Sequence, residues 1–159
     1  MKNKKLKIDI ILPNYNSSKF IEKTINSVLQ QSYKDWKLII VDDFSNKETK
    51  KILKKFENKK NIKIYWLKKN RGAGFCRNYA IKKSNYPYLA FIDSDDIWKK
   101  NKLLKQLNFM EKNSYYFSFT SYEVIDERDK ILKLQKVNSD ANYSNLIKSN
   151  FIGLSTVMI

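Results

Sequence analysis

The chain alternates short apolar segments with segments whose apolar residues recur at helical spacing, and this pattern limits the folds open to it. Apolar segments of strand length occupy residues 8–13, 36–41, 62–67 and 88–92. Helical spacing follows each of them, over residues 20–29, 45–56, 75–83 and 101–112. Repeated strand–helix alternation is typical of a parallel sheet with right-handed crossovers. We therefore expect an α/β fold with a mostly parallel central sheet flanked by helices.

Residues near the predicted helix starts suggest how the helices are capped. Ser17 or Ser18 can cap the first helix, and Ser45 with Glu48 three positions later forms a capping box for the second. The helix over 101–112 is expected to bury an apolar face, made of Leu103, Leu104, Leu107 and Met110.

The last third of the chain continues the pattern less regularly. An aromatic-rich segment over 115–124 predicts another strand, and residues 130–137 predict one more. No internal repeat, low-complexity tract or Pro/Gly-rich linker interrupts the chain. We therefore expect residues 1–159 to form a single domain.

Composition excludes several classes of function. The chain has no histidine, so it cannot form a Ser-His-Asp triad or a histidine metal site. Its net charge of +16 comes from lysines scattered over many segments, which favours contact with anionic lipid headgroups over nucleic-acid recognition. A single cysteine, Cys76, fits a reducing compartment, and no apolar run is long enough to span a membrane. We expect a cytoplasmic protein that can touch a membrane surface and does not bind nucleic acid.

Polar residues follow each predicted strand of the main sheet. They are Asn14, Tyr15 and Asn16 after the first strand, Asp42 and Asp43 after the second, Asn70, Arg71 and Gly72 after the third, and Asp93, Asp95 and Asp96 after the fourth. Ligands of open α/β sheets bind at the carboxyl ends of the strands. Each cluster alone could be an ordinary turn, because Asp and Asn favour turns. Together, the four clusters predict a binding site along one edge of the sheet.

The carboxylates Asp93, Asp95 and Asp96 lie within four positions of one another, and the next lysine along the chain is Lys99. Like charges this close repel one another unless a cation lies among them. A hard divalent cation such as Mn²⁺ or Mg²⁺ uses one or two protein carboxylates and takes other ligands from phosphate and water. We therefore expect a divalent cation that bridges to a diphosphate.

Two of the three glycines in the chain, Gly72 and Gly74, lie between Arg71 and Arg77 before a predicted helix. Glycines let the backbone approach a ligand closely, and positive charge beside a helix N-terminus favours the binding of a phosphate group. No Gly-x-x-x-x-Gly-Lys string is present, which excludes a P-loop. Arg77 occupies the place of the third glycine of the dinucleotide-binding motif, which argues against a nicotinamide enzyme.

The motifs at residues 11–16, 41–45, 70–78 and 91–96 resemble, in order and spacing, those of family 2 glycosyltransferases with the GT-A fold. The resemblance continues through Trp98, Lys102, Leu103 and Gln106, and through residues 119–126 and 150–159, so it covers nearly the whole chain. It implies a nucleotide-diphospho-sugar transferase type of α/β fold. Residues 1–125 would then form the nucleotide-sugar and metal-binding half, and 126–159 the truncated start of the acceptor half.

The resemblance also implies roles for individual residues. Tyr15 would stack on the nucleobase, usually uracil, with Pro13 and Asn16 nearby, and Asp43 with Asp42 would accept hydrogen bonds from the base. Arg77, helped by Arg71 and Gly72, would lie near the base or the diphosphate. Asp93 and Asp95 would approach the nucleotide-sugar, while Asp96, with Asp95, would bind Mn²⁺ or Mg²⁺.

The reaction implied is transfer of a sugar from a UDP-sugar to a hydroxyl of a glycan or lipid-linked acceptor, with inversion, in bacterial polysaccharide biosynthesis. The family's general base commonly lies in a downstream Glu-Asp pair, which this sequence lacks up to Ile159. Glu123, Asp126 and Glu127 are the acidic alternatives, and we expect donor binding with little transfer by this chain alone. Two other interpretations remain, a related nucleotidyltransferase and a basic, non-enzymatic anion-binding module.

Overall fold

A four-stranded parallel sheet forms the centre of the structure, a computed structural model that describes residues 6–137, 143–148 and 150–159. Its strands are β1 (Ile8–Asn14), β2 (Trp36–Asp42), β3 (Ile62–Trp66) and β4 (Tyr88–Phe91), in the order β3-β2-β1-β4. The helices α1 (Ile21–Leu29), α2 (Lys47–Lys54), α3 (Ala73–Lys82) and α4 (Lys102–Asn113) follow the strands in turn. The α/β class and the parallel sheet predicted from the sequence are confirmed.

The sheet is covered on both faces, which explains why β1 and β2 are apolar without alternation. Successive side chains point to opposite faces. Ile10 and Leu12 of β1 therefore join one core cluster with α1 and α4, while Ile11 joins a second cluster with Cys76 and Ala80 of α3. This arrangement holds α1 and α3 close to the carboxyl end of β1.

The chain after α4 forms a separate two-stranded antiparallel sheet from β5 (Tyr122–Ile125) and β6 (Ile131–Gln135). A short helix α5 (Tyr143–Lys148) and a 3-10 turn (Leu154–Thr156) follow. Within the described ranges, every helix is too short or too polar to serve as a membrane span.

Residues 157–159 return to the central sheet and run antiparallel beside β4. The amide and carbonyl of Ile159 bond the backbone of Leu89 at 2.9 and 2.8 Å, and Met158 bridges both Ala90 and Ser118. The preceding turn at Ser155 is thereby brought next to the loop that follows β4.

Both helix caps predicted from the sequence are wrong. Helix α1 has no side-chain cap, and the Ser17 hydroxyl instead donates to the Asn14 side chain. Helix α2 is capped by Asn46, whose side-chain oxygen accepts from the Thr49 amide at 2.9 Å. Ser45 does not cap the helix because the loop after β1 occupies its hydroxyl.

Two further expectations need correction. Leu104 is 36% exposed, and the inward position on α4 belongs to Gln106, which is 4% exposed and bonds the backbone of Ser118 and Thr156. The strand predicted over 115–124 is present only from Tyr122, because the aromatic residues before Ser118 pair with no neighbouring strand in the described ranges. Tyr116 is 92% exposed. The strand predicted over 130–137 is confirmed as β6.

Candidate functional site

A cleft of about 220 Å³ opens at the carboxyl ends of β1, β2 and β4, beside the first turns of α3. Of the residues singled out in the sequence, it is lined by Pro13, Tyr15, Asp43, Arg77, Asp93 and Asp95. Asn14, Ala73, Cys76 and Ser94 also line it. Complete small-molecule sites usually enclose roughly 300–1,000 Å³, so a large ligand would extend from the cleft over the open rim. The structure places Asn16, Asp42, Arg71, Gly72 and Asp96 around this lining.

Asp42 is fully buried beneath the rim and does not line the cleft. One carboxylate oxygen accepts from the Asn14 side-chain amide at 2.7 Å, and the other accepts from the Ser45 amide at 3.1 Å. Asp42 therefore joins the loops after β1 and β2.

Asn16 holds the same two loops together from the exposed side. Its amide donates to the Ser45 hydroxyl at 3.0 Å, and its side-chain oxygen accepts from the Asn46 amide at 2.8 Å. Its φ of 47° lies in the left-handed region, where Asn is one of the few tolerated residues. The neighbouring Tyr15 is thereby presented at the rim with 52% of its surface exposed.

Asp43 connects the end of β2 to the start of α3. Its two carboxylate oxygens accept from the amides of Arg71 and Gly72, each at 2.7 Å. Gly72 has a φ of 84°, which side-chain-bearing residues rarely adopt. The side chain of Asp43 is thus part of the cleft wall and is largely satisfied by the protein.

The thiol of Cys76 also bonds to Asp43. Burial first, and then the charge and hydrogen bond of Asp43, raises the pKa of the Cys76 thiol to about 12. The thiol therefore stays protonated at neutral pH, acts as a donor and is not a nucleophile.

The two arginines near the site have different surroundings. The Arg77 guanidinium donates to the Asp93 carboxylate at 2.6 Å, and its buried Nε has no partner in the described structure. The Arg71 guanidinium lies 4.3 Å from the centre of the Phe75 ring and packs on that ring. Arg77 therefore lines the cleft and has one unpaired, buried donor, whereas Arg71 contributes its backbone amide.

Asp96 is an exposed residue of the loop after β4 and accepts a hydrogen bond from the Ser155 hydroxyl. Partial desolvation raises the pKa of the Asp96 carboxyl, the Ser155 hydrogen bond lowers it, and the charges of Asp95 and Asp93 raise it further. The protein itself thus supplies little positive charge at Asp96.

The carboxylates of this loop are the candidate ligands for a divalent ion. Among the described residues, no three acidic or cysteine side chains converge into a complete metal cage. Asp93 is paired with Arg77, which leaves the exposed carboxylates Asp95 and Asp96. Two oxygen donors beside open space fit Mn²⁺ or Mg²⁺ that takes its other ligands from a phosphate and water.

The sequence patterns assigned no specific contact to three residues that shape this site. Asn14 fixes Asp42, Cys76 donates to Asp43, and Ser155 contacts the Asp93–Asp96 loop. Asn14 and Cys76 lie inside rim segments, so their positions carried a weak signal. Ser155 and the loop that it contacts are about 60 residues apart in the sequence, so no local pattern predicted this contact.

The family model described as Glycosyl transferase family 2 matches residues 9–157, nearly the whole chain. The chain belongs to glycosyl transferase family 2. The teichuronic acid biosynthesis glycosyltransferase TuaG of Bacillus subtilis is 42% identical over 161 residues, covering 100% of this chain and 64% of TuaG. The UDP-Glc:alpha-D-GlcNAc-diphosphoundecaprenol beta-1,3-glucosyltransferase WfgD of Escherichia coli is 36% identical over 96% of this chain and 59% of WfgD. The chain thus spans about three fifths of the length of these two relatives.

Solved structures of a similar protein agree with the fold. TarS of S. aureus superposes with a TM-score of 0.66 at 33% identity, covering 70% of this chain and 34% of the TarS chain. A complex of TarS with UDP gives the same TM-score at 29% identity, covering 76% of this chain and 42% of the TarS chain. The GT-A type of fold expected from the sequence motifs is confirmed.

Proposed function

We propose that this chain is the donor-binding part of a metal-dependent, inverting glycosyltransferase that transfers a sugar from a UDP-sugar to a hydroxyl acceptor. The observation that carries the proposal is the cleft itself, in which an exposed tyrosine, a partly unpaired arginine and a group of carboxylates meet at the carboxyl edge of a parallel sheet. TarS, a structural neighbour, has been crystallised with UDP and with UDP-GlcNAc, which supports a UDP-sugar as donor.

The rim of the cleft would bind the nucleoside. Tyr15 is exposed and stands on a loop fixed by Asn16, so its ring can stack on the base without a conformational change. Pro13 and Asp43 line the wall beside it, and Asp43 retains a lone pair that can accept from the base. Asp42 supports this wall from below.

The opposite side of the cleft would bind the diphosphate. The buried Nε of Arg77 lacks a hydrogen-bond partner in the described structure, and an unpaired buried donor is costly unless a ligand satisfies it. A phosphate oxygen at this position would accept from Arg77 while Asp93 keeps the guanidinium in place.

Asp96 and Asp95 are the residues that would hold Mn²⁺ or Mg²⁺. The ion, when bound, supplies charge neutralisation for the departing diphosphate. Asp93 would orient Arg77 and would not bind the ion directly.

Glu123 and Asp126 of the β5–β6 hairpin are poor candidates for the general base. Glu123 pairs with Lys99 at 2.7 Å, and Asp126 accepts from the amides of Arg128 and Lys130, each at 2.9 Å. Both carboxylates already have partners within the protein, so we leave the base unassigned and expect this chain to bind a donor with little transfer.

The proposed setting is polysaccharide or lipid-linked glycan synthesis at the cytoplasmic face of a bacterial membrane. TuaG is named for teichuronic acid biosynthesis, and WfgD for an acceptor linked to undecaprenol diphosphate. The net charge of +16 would favour contact with anionic lipids.

Calorimetry with UDP, in the presence of Mn²⁺ and in EDTA, tests the proposal. We expect the parent chain to bind UDP more tightly with Mn²⁺, and Asp96→Ala to lose about tenfold or more of that affinity. Glu127→Ala removes an exposed carboxylate from the hairpin and serves as the control. Absence of metal-dependent binding, together with salt-sensitive binding to anionic vesicles, would favour the non-enzymatic module.

A further inference from the structure

We propose that Ser155 is a positioning residue that fixes the Asp96 carboxylate for ion binding. The inference deepens the proposed function and rests on it, since it concerns the same donor site. Ser155 lies 59 positions from Asp96 in the sequence, in the turn that precedes the residues running beside β4.

Ser155 contacts the Asp93–Trp98 loop at three points. Its hydroxyl oxygen accepts from the Asp93 amide at 2.9 Å, and the same hydroxyl donates to an oxygen of the Asp96 carboxylate. Its carbonyl oxygen accepts from the indole Nε1 of Trp98 at 2.8 Å. One residue therefore ties together the beginning, the middle and the end of the loop.

The direction of these bonds is fixed by the chemistry of the hydroxyl. A serine hydroxyl has one proton and two lone pairs. Because the Asp93 amide occupies a lone pair, the proton is free to point at Asp96. The bonded carboxylate oxygen, Oδ2, is then held in place, and Oδ1 remains available for an ion. Partners of this kind orient ligating groups in metal sites.

The segment that carries Ser155 is itself rigidly attached. Gln106 of α4 donates to the Thr156 carbonyl at 2.9 Å, and Met158 bridges both Ala90 and Ser118. Trp98 is 6% exposed and its amide donates to the Ser27 hydroxyl at 3.1 Å, so the far end of the loop is also fixed. Ser155 thus holds the exposed Asp96 carboxylate at a fixed position relative to the sheet and α4.

The test compares three variants in the full chain. Ser155→Ala removes the hydroxyl, and Ser155→Thr retains it. Thr156→Val removes the neighbouring hydroxyl, which bonds only the Gly153 carbonyl in the described structure and does not reach Asp96. Calorimetry measures UDP affinity with Mn²⁺ and in EDTA, and NMR measures hydrogen exchange at the Asp93 amide.

We expect Ser155→Ala to weaken Mn²⁺-dependent UDP binding by about tenfold or more, with little change in EDTA. Ser155→Thr should restore most of the affinity, and Thr156→Val should leave it unchanged. The Asp93 amide should exchange faster in Ser155→Ala only. A folded Ser155→Ala chain with parental Mn²⁺–UDP affinity would overturn the inference, as would equal losses with Mn²⁺ and in EDTA or an equal loss in Thr156→Val.

Failure of the proposed function gives a different result. If the parent chain binds no UDP with Mn²⁺, the donor-binding proposal fails and the exchange measurement alone decides the role of Ser155. Faster exchange at Asp93 in Ser155→Ala, absent in Thr156→Val, would then support loop positioning. Unchanged exchange would overturn it.

Discussion

Arg77 of α3 and Asp93 of the loop after β4 form an ion pair of 2.6 Å inside the cleft. Both side chains are partly buried, at 25% and 33% exposure. The pair neutralises one of three neighbouring carboxylates, and it holds the guanidinium of a side chain that lines the cleft and whose buried Nε has no partner in the described structure. An arginine can serve both purposes because its guanidinium carries five donors in a fixed plane.

Arg77→Lys should weaken UDP binding by about tenfold while leaving the fold intact. Lysine can keep the pair with Asp93, but it has a single donor atom and cannot also reach a phosphate at the Nε position. Calorimetric UDP titration measures the effect. Arg71→Lys is the matched control, because the Arg71 side chain packs on Phe75 and its backbone amide is unaffected. Equal losses in the two variants would argue against a specific role for Arg77.

Tyr15→Ala should lower UDP affinity and leave the thermal midpoint unchanged. Stacking of a base on an aromatic ring contributes about 1–3 kcal/mol, and the exposed ring adds little to stability. Tyr15→Phe keeps the ring and should bind like the parent. Tyr116→Ala, which removes a 92% exposed tyrosine outside the cleft, controls for loss of surface aromatic area. Unaltered affinity in Tyr15→Ala would remove the stacking role.

Asp43→Asn should reduce the free energy of unfolding by roughly 1.5–3 kcal/mol, the contribution of a hydrogen bond to a charged group. An amide has one acceptor oxygen, whereas the carboxylate accepts from both Arg71 and Gly72. Urea denaturation measures the change. Asp95→Asn makes the same substitution at an exposed carboxylate and should leave stability near the parental value. A similar loss of stability in both variants would mean that the two hydrogen bonds of Asp43 to backbone amides do not stabilise the fold specifically.

Lys102→Met should stabilise the fold at pH 6, with a gain that shrinks as the pH rises toward 10.5. Burial lowers the pKa of Lys102 to about 7 from 10.5, so between these values the unfolded chain holds a proton that the folded chain lacks. The stability of the parent therefore rises with pH across this window. Below a pH of about 7 the folded chain carries the positive charge of Lys102 in a buried position. The ammonium group has no hydrogen-bond partner in the described structure, and the Trp98 ring, with its centre 4.1 Å away, offsets part of the cost.

The expected gain at pH 6 is roughly 3–4 kcal/mol, since each pKa unit between 10.5 and 7 corresponds to about 1.4 kcal/mol and the contact with the Trp98 ring offsets a part. Urea denaturation at pH 6, 8 and 10 measures it. Lys105→Met, at an exposed position of the same helix, should show no such pH dependence. A gain that is equal at all three pH values would indicate better packing and not the loss of a charge.

Local sequence was sufficient to predict the strands of the central sheet and the end of that sheet at which the site lies. The apolar runs of β1 and β2 predicted buried parallel strands, and the polar residues after each strand predicted a cleft lined by Tyr15, Asp43, Arg77 and Asp93. This was possible because strand periodicity and the direction of parallel strands are properties of short segments and of simple topology.

Tertiary contacts decided what each polar side chain does. Ser45 bonds Asn14 and Asn16 instead of capping α2, Asp42 is buried beneath the rim, and Asp43 is held by two amides of the α3 loop. A polar group has several possible partners of similar energy, so the one it takes depends on which chain segments the fold brings within hydrogen-bond distance. The contact between Ser155 and Asp96 follows the same rule, because only the return of residues 157–159 to β4 brings the two together.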